Sequence, residues 1–85
     1  MTIELVFLAR LRERFGVSRE RLPLLSAPTT VASLLTQLRE RGGVFAEELA
    51  PHRAFRVAVN QEVVALDHPV NPGDEVAIFP PVTGG

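Results

Sequence analysis

One segment of this chain has the apolar spacing of an amphipathic helix, and alternating, strand-like stretches precede and follow it. Its apolar residues recur at intervals that share one helix face, and they are Val31, Leu34, Leu35 and Leu38. Thr29 or Thr30 can cap the start of this helix, and Gly42-Gly43 ends it. A chain of 85 residues has room for one domain, so this helix must cover a single small sheet.

The strands are predicted from alternating apolar residues and from the turn residues between them. They cover residues 1–8, 19–25, 55–59, 63–66 and 75–79. Pro23 confines the second strand to an edge or a strand end, because proline lacks a backbone donor. Residues 9–15 and 44–50 have helical patterns, and turns are predicted at Asn60-Gln61 and Pro72-Gly73-Asp74.

This order predicts an α+β fold of the ubiquitin-like β-grasp type, in which one main helix lies across a mixed sheet of about five strands. The helix would pack on the inward residues of the strands, which are Ile3, Leu5, Phe7, Val57, Val59, Val76 and Ile78. We expect residues 1–79 to form this domain and residues 80–85 to form a flexible C-terminal tail.

Two absences from the composition exclude several kinds of chemistry. The chain has no cysteine, which removes disulfides, thiolate metal sites and catalytic thiols. All nine cationic side chains are arginines, so no lysine can form a Schiff base or receive an isopeptide bond. His52 and His68 lack a third ligand at a usual spacing, so we expect no metal site. The serines lie outside any nucleophile elbow, and we expect no catalysis by this chain alone.

The charge and hydropathy patterns bear on partners and location. A net charge of −1 argues against nucleic acid or a membrane surface as the partner. Arg10, Arg12 and Arg14 could form a basic patch for acidic groups of a partner, but their alternate positions on a predicted helix favour a solvated surface. The longest apolar run, residues 5–9, is far shorter than the roughly 18 residues of a membrane span. No basic segment precedes it, so we expect a cytoplasmic protein without a signal peptide.

The last seven residues are the most informative about function. They read Phe79-Pro80-Pro81-Val82-Thr83-Gly84-Gly85. The prolines favour an extended backbone, and the six residues after Phe79 can reach about 20 Å. Gly84 and Gly85 have no Cβ, so a narrow tunnel can admit them together with the terminal carboxylate. The alternative is that two terminal glycines are a frayed chain end.

Alternation also predicts an apolar surface on the side of the sheet that faces away from the helix. The predicted outward residues are Val6, Leu8, Val63, Ala77 and Phe79. An apolar patch on an open sheet face is typical of an interaction site, and Phe79 directly precedes the tail. The alternative is that residues 44–51 fold over this face.

Seven segments of the chain are informative when they are taken together: Phe7-Leu8-Ala9, Arg12-Glu13, Gly16, Val59-Asn60-Gln61, Asp67-His68-Pro69, Gly73 to Ala77 and Phe79 to Gly85. In these segments, which span most of its length, the chain resembles the small, sulfur-carrying subunits of molybdopterin synthase, the MoaD family. The last of these segments is the most specific, whereas a Gly-Gly end alone fits any ubiquitin-like carrier of the MoaD or ThiS kind.

The resemblance implies a cycle in which the carboxyl group of Gly85 carries sulfur. An E1-like activating enzyme would use ATP to adenylate Gly85, which is then converted to a thiocarboxylate, and this chain itself would bind no cofactor. The tail, Pro80 to Gly84, would enter the active site of the large synthase subunit. There the thiocarboxylate would donate sulfur to cyclic pyranopterin monophosphate in molybdenum cofactor biosynthesis. The resemblance also implies a heterotetramer with two large subunits at its centre and two carriers at its ends.

Three other functions share parts of this pattern. A carrier for thiazole or cysteine synthesis has the same fold and Gly-Gly end, although the Pro-Pro-Val-Thr spacer and the Asp-His-Pro turn argue against it. A ubiquitin-like modifier would join Gly85 to lysines of target proteins, and the absence of lysine here excludes only chain building on itself. A regulatory or nucleic-acid-binding β-grasp module would leave the tail without a purpose and would be more basic.

Overall fold

The structure is a computed structural model, and it describes residues 2–24 and 29–81. Within these ranges the chain forms seven strands and three helices. The strands are β1 (Thr2–Phe7), β2 (Arg19–Pro23), β3 (Thr29–Thr30), β4 (Arg56–Val59), β5 (Glu62–Val63), β6 (Pro69–Val70) and β7 (Glu75–Phe79). The helices are α1 (Arg10–Phe15), α2 (Val31–Arg39) and α3 (Gly43–Glu48). In this described part, no helix is long and apolar enough to span a membrane.

Five of the strands form one mixed sheet in the order β2-β1-β7-β4-β5. The central pair, β1 and β7, is parallel, and the other pairs are antiparallel. The predicted ubiquitin-like β-grasp is therefore confirmed, and β2 with its Pro23 lies at a sheet edge as expected. The small β3–β6 ladder, which pairs Thr29 with Val70, was not predicted, because two residues are too few to show alternation.

The core forms where α2 lies across the inner face of this sheet. All four predicted apolar residues of α2 are buried, as are all seven predicted inward residues of the strands. The helix begins as the threonines indicate, since the Thr30 hydroxyl oxygen accepts a hydrogen bond of 3.2 Å from the Ser33 amide. The Val31 and Ala32 amides donate to the carbonyl oxygens of His68 and Leu66, at 3.0 and 2.8 Å.

Helices α1 and α3 lie on the same side of the sheet as α2. The Phe15 ring packs against Phe7 at 4.8 Å and stacks on Phe45 at 4.2 Å between ring centroids. Phe45 thereby brings α3 against the core, and Glu48 ties the same helix to α1 through Arg10. The expectation of a helix near residues 44–50 is confirmed, but the idea that residues 44–51 cover the outer face is wrong.

The boundaries of β5 and α2 differ from the sequence-based expectation in ways that have a structural reason. The predicted strand 63–66 is shorter, because β5 ends at Val63 and the Leu66 carbonyl turns to α2 instead. Helix α2 ends at Arg39, before the expected Gly42-Gly43. Gly42, with a φ of 75°, instead precedes the first turn of α3.

Candidate partner surface and carboxyl-terminal segment

The outer face of the sheet carries a continuous row of small and branched apolar side chains. The strand register pairs Val6 with Ala77, Ala77 with Ala58, and Ala58 with Val63. The row therefore crosses four strands, and at its β5 end the Val63 residue is 61% exposed. Because alternate residues point to opposite faces, these side chains cannot belong to the core under α2.

A second apolar pair extends this row at the end where the chain leaves the sheet. The Leu8 amide donates to the Ile78 carbonyl oxygen at 3.2 Å, which continues the β1–β7 ladder and places Leu8 beside Phe79. Leu8 is 42% exposed and Phe79 is half-buried. We call the row and this pair together the outer patch, whose members are Val6, Leu8, Ala58, Val63, Ala77 and Phe79.

Charged pairs border the outer patch on the same face of the sheet, at the end away from Leu8 and Phe79. Arg19 Nη2 lies 3.0 Å from Glu75 Oε2, and Arg21 Nε lies 3.5 Å from Glu4 Oε1. Glu4 and Glu75 are direct neighbours in the β1–β7 ladder, so the two pairs stand side by side. Exposed pairs of this kind stabilise a fold by about 1 kcal/mol at most, and their chief effect here is to limit the apolar area.

The structure describes only the start of the predicted tail. Pro80 and Pro81 follow β7 directly and are half-buried. Val82, Thr83, Gly84 and Gly85, which the sequence marks as the chemically important end, lie outside the described residues. Since Phe79 is the last residue of β7, the tail starts at the edge of the outer patch.

Two of the segments that carry the family resemblance have clear structural roles. Asn60 and Gln61 both have positive φ, 52° and 72°, as the tight turn between β4 and β5 requires. Asn60 also donates to Asp74 Oδ1 at 3.0 Å and accepts from the Glu75 amide at 3.0 Å. This network joins the β4–β5 turn to the Asn71–Asp74 turn, in which Gly73 has a φ of 88°.

Two features of this surface and its support were missed at the level of sequence. Ala58 lies on the outer face between Ala77 and Val63, where it is itself only 6% exposed, and alternation with the inward Val57 and Val59 was enough to place it there. Glu48, in contrast, gave no signal, because the adjacent Glu47 is the same residue type and yet is exposed. Glu48 is only 3% exposed and accepts hydrogen bonds from three arginine side chains: Arg10, Arg14 and Arg53.

The sequence indicated a solvated surface for Arg10 and Arg14, but both side chains are bonded to the buried Glu48. They are one helical turn apart on α1 and point to the same carboxylate across 34 or more residues of sequence. Metal-ligating types are not gathered in the same way. Across residues 2–24 and 29–81, no three His, Cys, Asp or Glu side chains are grouped so as to hold an ion.

The β-grasp fold and the apolar outer face, together with a Gly84-Gly85 pair that follows the last strand by five and six residues in the sequence, are typical of a small ubiquitin-like domain. The model of the ThiS family matches residues 5–85. The chain belongs to the ThiS family.

Two relatives are similar to this chain along nearly their whole length. The molybdopterin synthase sulfur carrier subunit of Escherichia coli (strain K12) is 37% identical over 83 residues, which are 98% of this chain and 99% of the relative. A solved structure of a putative molybdopterin converting factor, subunit 1, from Pyrococcus furiosus has a TM-score of 0.81 and 29% identity. It covers 96% of this chain and 99% of its own.

The crystal structure of SAMP1 from Haloferax volcanii, a small archaeal modifier protein, is also similar. Its TM-score is 0.77 with 30% identity, and the match covers 100% of both chains. The fold is therefore shared by proteins named as sulfur carriers and by proteins named as modifiers.

Proposed function

We propose that this chain is the sulfur carrier subunit of a molybdopterin synthase. In this proposal the carboxyl group of Gly85 is adenylated, converted to a thiocarboxylate and used to donate sulfur to cyclic pyranopterin monophosphate. The chain contributes the sulfur-bearing end, and a larger subunit contributes the pocket in which the transfer takes place.

The observation that carries this proposal is the near full-length similarity to a named molybdopterin synthase sulfur carrier subunit. The family model extends to Gly85, so the similarity includes the residue to which the chemistry is assigned. The outer patch gives independent support, because its Leu8 and Phe79 lie where the tail begins. A partner that receives the tail would meet an apolar surface at its base.

The chemistry needs an activated carboxyl group, since a free carboxylate is a poor electrophile. A carboxylate oxygen of Gly85 attacks the α-phosphorus of ATP, which forms an acyl adenylate and releases pyrophosphate. A sulfur nucleophile at the oxidation level of sulfide then attacks the carbonyl carbon, and AMP leaves. The chain has no cysteine, so it cannot hold the sulfur as a side-chain thiol and the terminal carboxyl group is the proposed site.

Two protein partners follow from this cycle. An E1-like enzyme would bind ATP and adenylate Gly85, so the chain itself would need no bound cofactor. The large synthase subunit would take up the tail and contact the outer patch, in a heterotetramer of two large subunits and two carriers. Both partners meet the chain in the cytoplasm.

Intact mass spectrometry tests the carrier role directly. After incubation with activating enzyme, ATP and sulfide, we expect one oxygen of the chain to be replaced by sulfur. A chain that lacks Gly85 is the matched control, and it should stay unmodified while its outer patch still binds the large subunit. An unchanged mass of the full chain, or molybdopterin formation with the shortened chain, would contradict the proposal.

A protein modifier is the second candidate, because SAMP1 is 30% identical over the full chain. Its Gly85 would form isopeptide bonds with lysines of other proteins. Gel analysis of cell extracts that contain a tagged chain separates the two functions. A modifier gives covalent adducts that resist thiols, whereas a sulfur carrier gives a thiocarboxylate and a non-covalent complex with the large subunit. A carrier for thiazole synthesis would be recovered with a different enzyme.

A further inference from the structure

A cleft of about 420 Å³ opens at the start of β4, beside the outer patch. Its walls come from the end of α2, the segment between α3 and β4, the start of β4 and the residues that follow β5. The lining residues are Arg39, Pro51, Arg53, Phe55, Arg56, Val57, Val64, Ala65 and Leu66. We call this feature the arginine cleft.

The arginine cleft is positively charged although the chain as a whole has a net charge of −1. Three guanidinium groups line it, and the lining residues themselves carry no carboxylate, although Glu48 and Glu47 lie behind Arg53, at 3.2 and 4.0 Å from its Nη2. Two of these guanidinium groups are already held in position. Arg39 Nε donates to the Leu49 carbonyl oxygen at 2.5 Å, and Arg53 Nη2 donates to Glu48 at 3.2 Å. Arg56 is exposed. An anion in the cleft would therefore meet two arginine side chains that are held in position and one that can adjust.

The rest of the lining is apolar. Phe55 and Val64 are half-buried and pack against the core, which makes a firm wall. Leu66 stands at the rim and is 54% exposed, which is high for a leucine. An apolar wall beside guanidinium groups suits a ligand that has an aliphatic or aromatic group next to acidic ones.

The position of the arginine cleft indicates where such a ligand would come from. Arg56 pairs with Phe79 in the β4–β7 ladder, so the cleft begins one strand away from the base of the tail. A protein that takes up the tail must therefore lie next to the cleft. Charge complementarity at this point favours a protein that presents acidic residues.

We propose that the arginine cleft binds an acidic peptide segment with one apolar side chain, supplied by the protein that receives the tail. The carboxylates of this segment pair with the exposed Arg56, and its apolar side chain packs between Phe55 and Leu66. This inference rests on the proposed function for the identity of the partner, the large synthase subunit. It adds a second contact that the outer patch alone does not provide.

The chemistry of the cleft is tested without any partner by nuclear magnetic resonance on the full chain. The probes are a peptide of sequence Asp-Glu-Leu-Glu-Asp and its matched amide form, Asn-Gln-Leu-Gln-Asn. We expect the acidic peptide alone to shift the amide signals of residues 55–57 and 64–66, and Arg56→Glu to remove the shifts. Equal shifts with both peptides, or shifts elsewhere, would overturn the inference.

The partner is tested by measuring the affinity of the full chain for the purified large subunit. Arg56→Glu and Leu66→Asp should each weaken it on the order of tenfold, and the Arg56→Glu complex should depend less on salt. Gln37→Glu, on the side of α2 that faces Pro23 at the opposite edge of the sheet from β5, is the control and should bind as the wild type does. Unchanged affinity of both cleft variants would overturn the inference. If the wild-type chain itself failed to bind, the proposed function would fall, while the peptide result would still decide the chemistry of the cleft.

Discussion

Ala9 has the least favourable backbone conformation of the chain's described non-glycine residues. Its φ of 53° and ψ of −129° are those of the first central residue of a type II′ turn, a position that favours glycine. The turn is closed by the Leu11 amide, which donates to the Leu8 carbonyl oxygen at 3.2 Å. It ends β1 abruptly and leaves Leu8 exposed at the edge of the outer patch. The strained backbone of Ala9 thus accompanies the exposure of Leu8, a proposed contact residue.

Replacing Ala9 by glycine should relieve this strain. We expect Ala9→Gly to raise the free energy of unfolding by up to about 1 kcal/mol, because the gain in the turn exceeds the added entropy of the unfolded chain. Urea denaturation measures the change. Ala32→Gly, on the exposed side of α2, is the matched control and should lower stability by about 0.5–1 kcal/mol. A loss of stability in both variants would show that the turn is unstrained.

At the level of elements, buried and half-buried ion pairs join parts of the chain that hydrophobic packing alone leaves loosely oriented. Glu48 joins α3 to α1, and Glu20 joins β2 to the residues after α2 through two hydrogen bonds from Arg41. The Arg41 guanidinium also lies over the Phe45 ring, 4.8 Å from its centroid. The hydrogen bonds from Arg41 lower the pKa of Glu20, although partial burial acts in the opposite direction.

This pKa shift predicts how the pair contributes to stability as the pH changes. A carboxylate whose pKa is lowered in the folded state stabilises that state above its unfolded pKa, and the contribution is lost as the pH falls through the folded pKa. Glu20→Gln should therefore cost about 0.5–1 kcal/mol at neutral pH. The difference from wild type should shrink in acid, as followed by denaturation at several pH values. A difference that stays constant down to strongly acidic pH would contradict the role of this pair.

At the scale of the whole molecule, the two faces of the sheet have different roles: one forms the core and the other is the proposed partner surface. One face, with Ile78 at 0% exposure, holds the core together, and the other carries the outer patch. The two faces are encoded by neighbouring residues, because side chains alternate along each strand. The fold and the proposed partner surface can therefore be tested separately at adjacent positions.

Ile78 and Phe79 are such a pair of neighbours. Ile78→Ala should reduce the free energy of unfolding by about 2–5 kcal/mol, since it empties part of the core. Phe79→Ala should instead weaken the complex with the large subunit by about 2 kcal/mol or more and have a smaller effect on the fold. Calorimetry of unfolding and of binding distinguishes the two effects. Equal affinity of wild type and Phe79→Ala would reject the outer patch as a contact surface.

Much of this architecture was accessible from local patterns. The spacing of Val31, Leu34, Leu35 and Leu38 identified the main helix, and the alternation around Ile78 and Phe79 assigned each side chain to a face. Thr30 and Gly16 marked a helix start and a helix end through their own capping geometry. Each of these signals works over a few residues, so it survives without knowledge of the rest of the fold.

The sequence by itself thus determined the main helix, the main strands, their faces and the residue proposed to carry sulfur. Only the tertiary structure decided what meets across long distances: the two-residue β3–β6 ladder, the burial of Glu48 among Arg10, Arg14 and Arg53, and the arginine cleft. The physical reason is that a short strand or a charged side chain has no periodicity of its own. Its partner is selected only when the core closes and brings distant segments together.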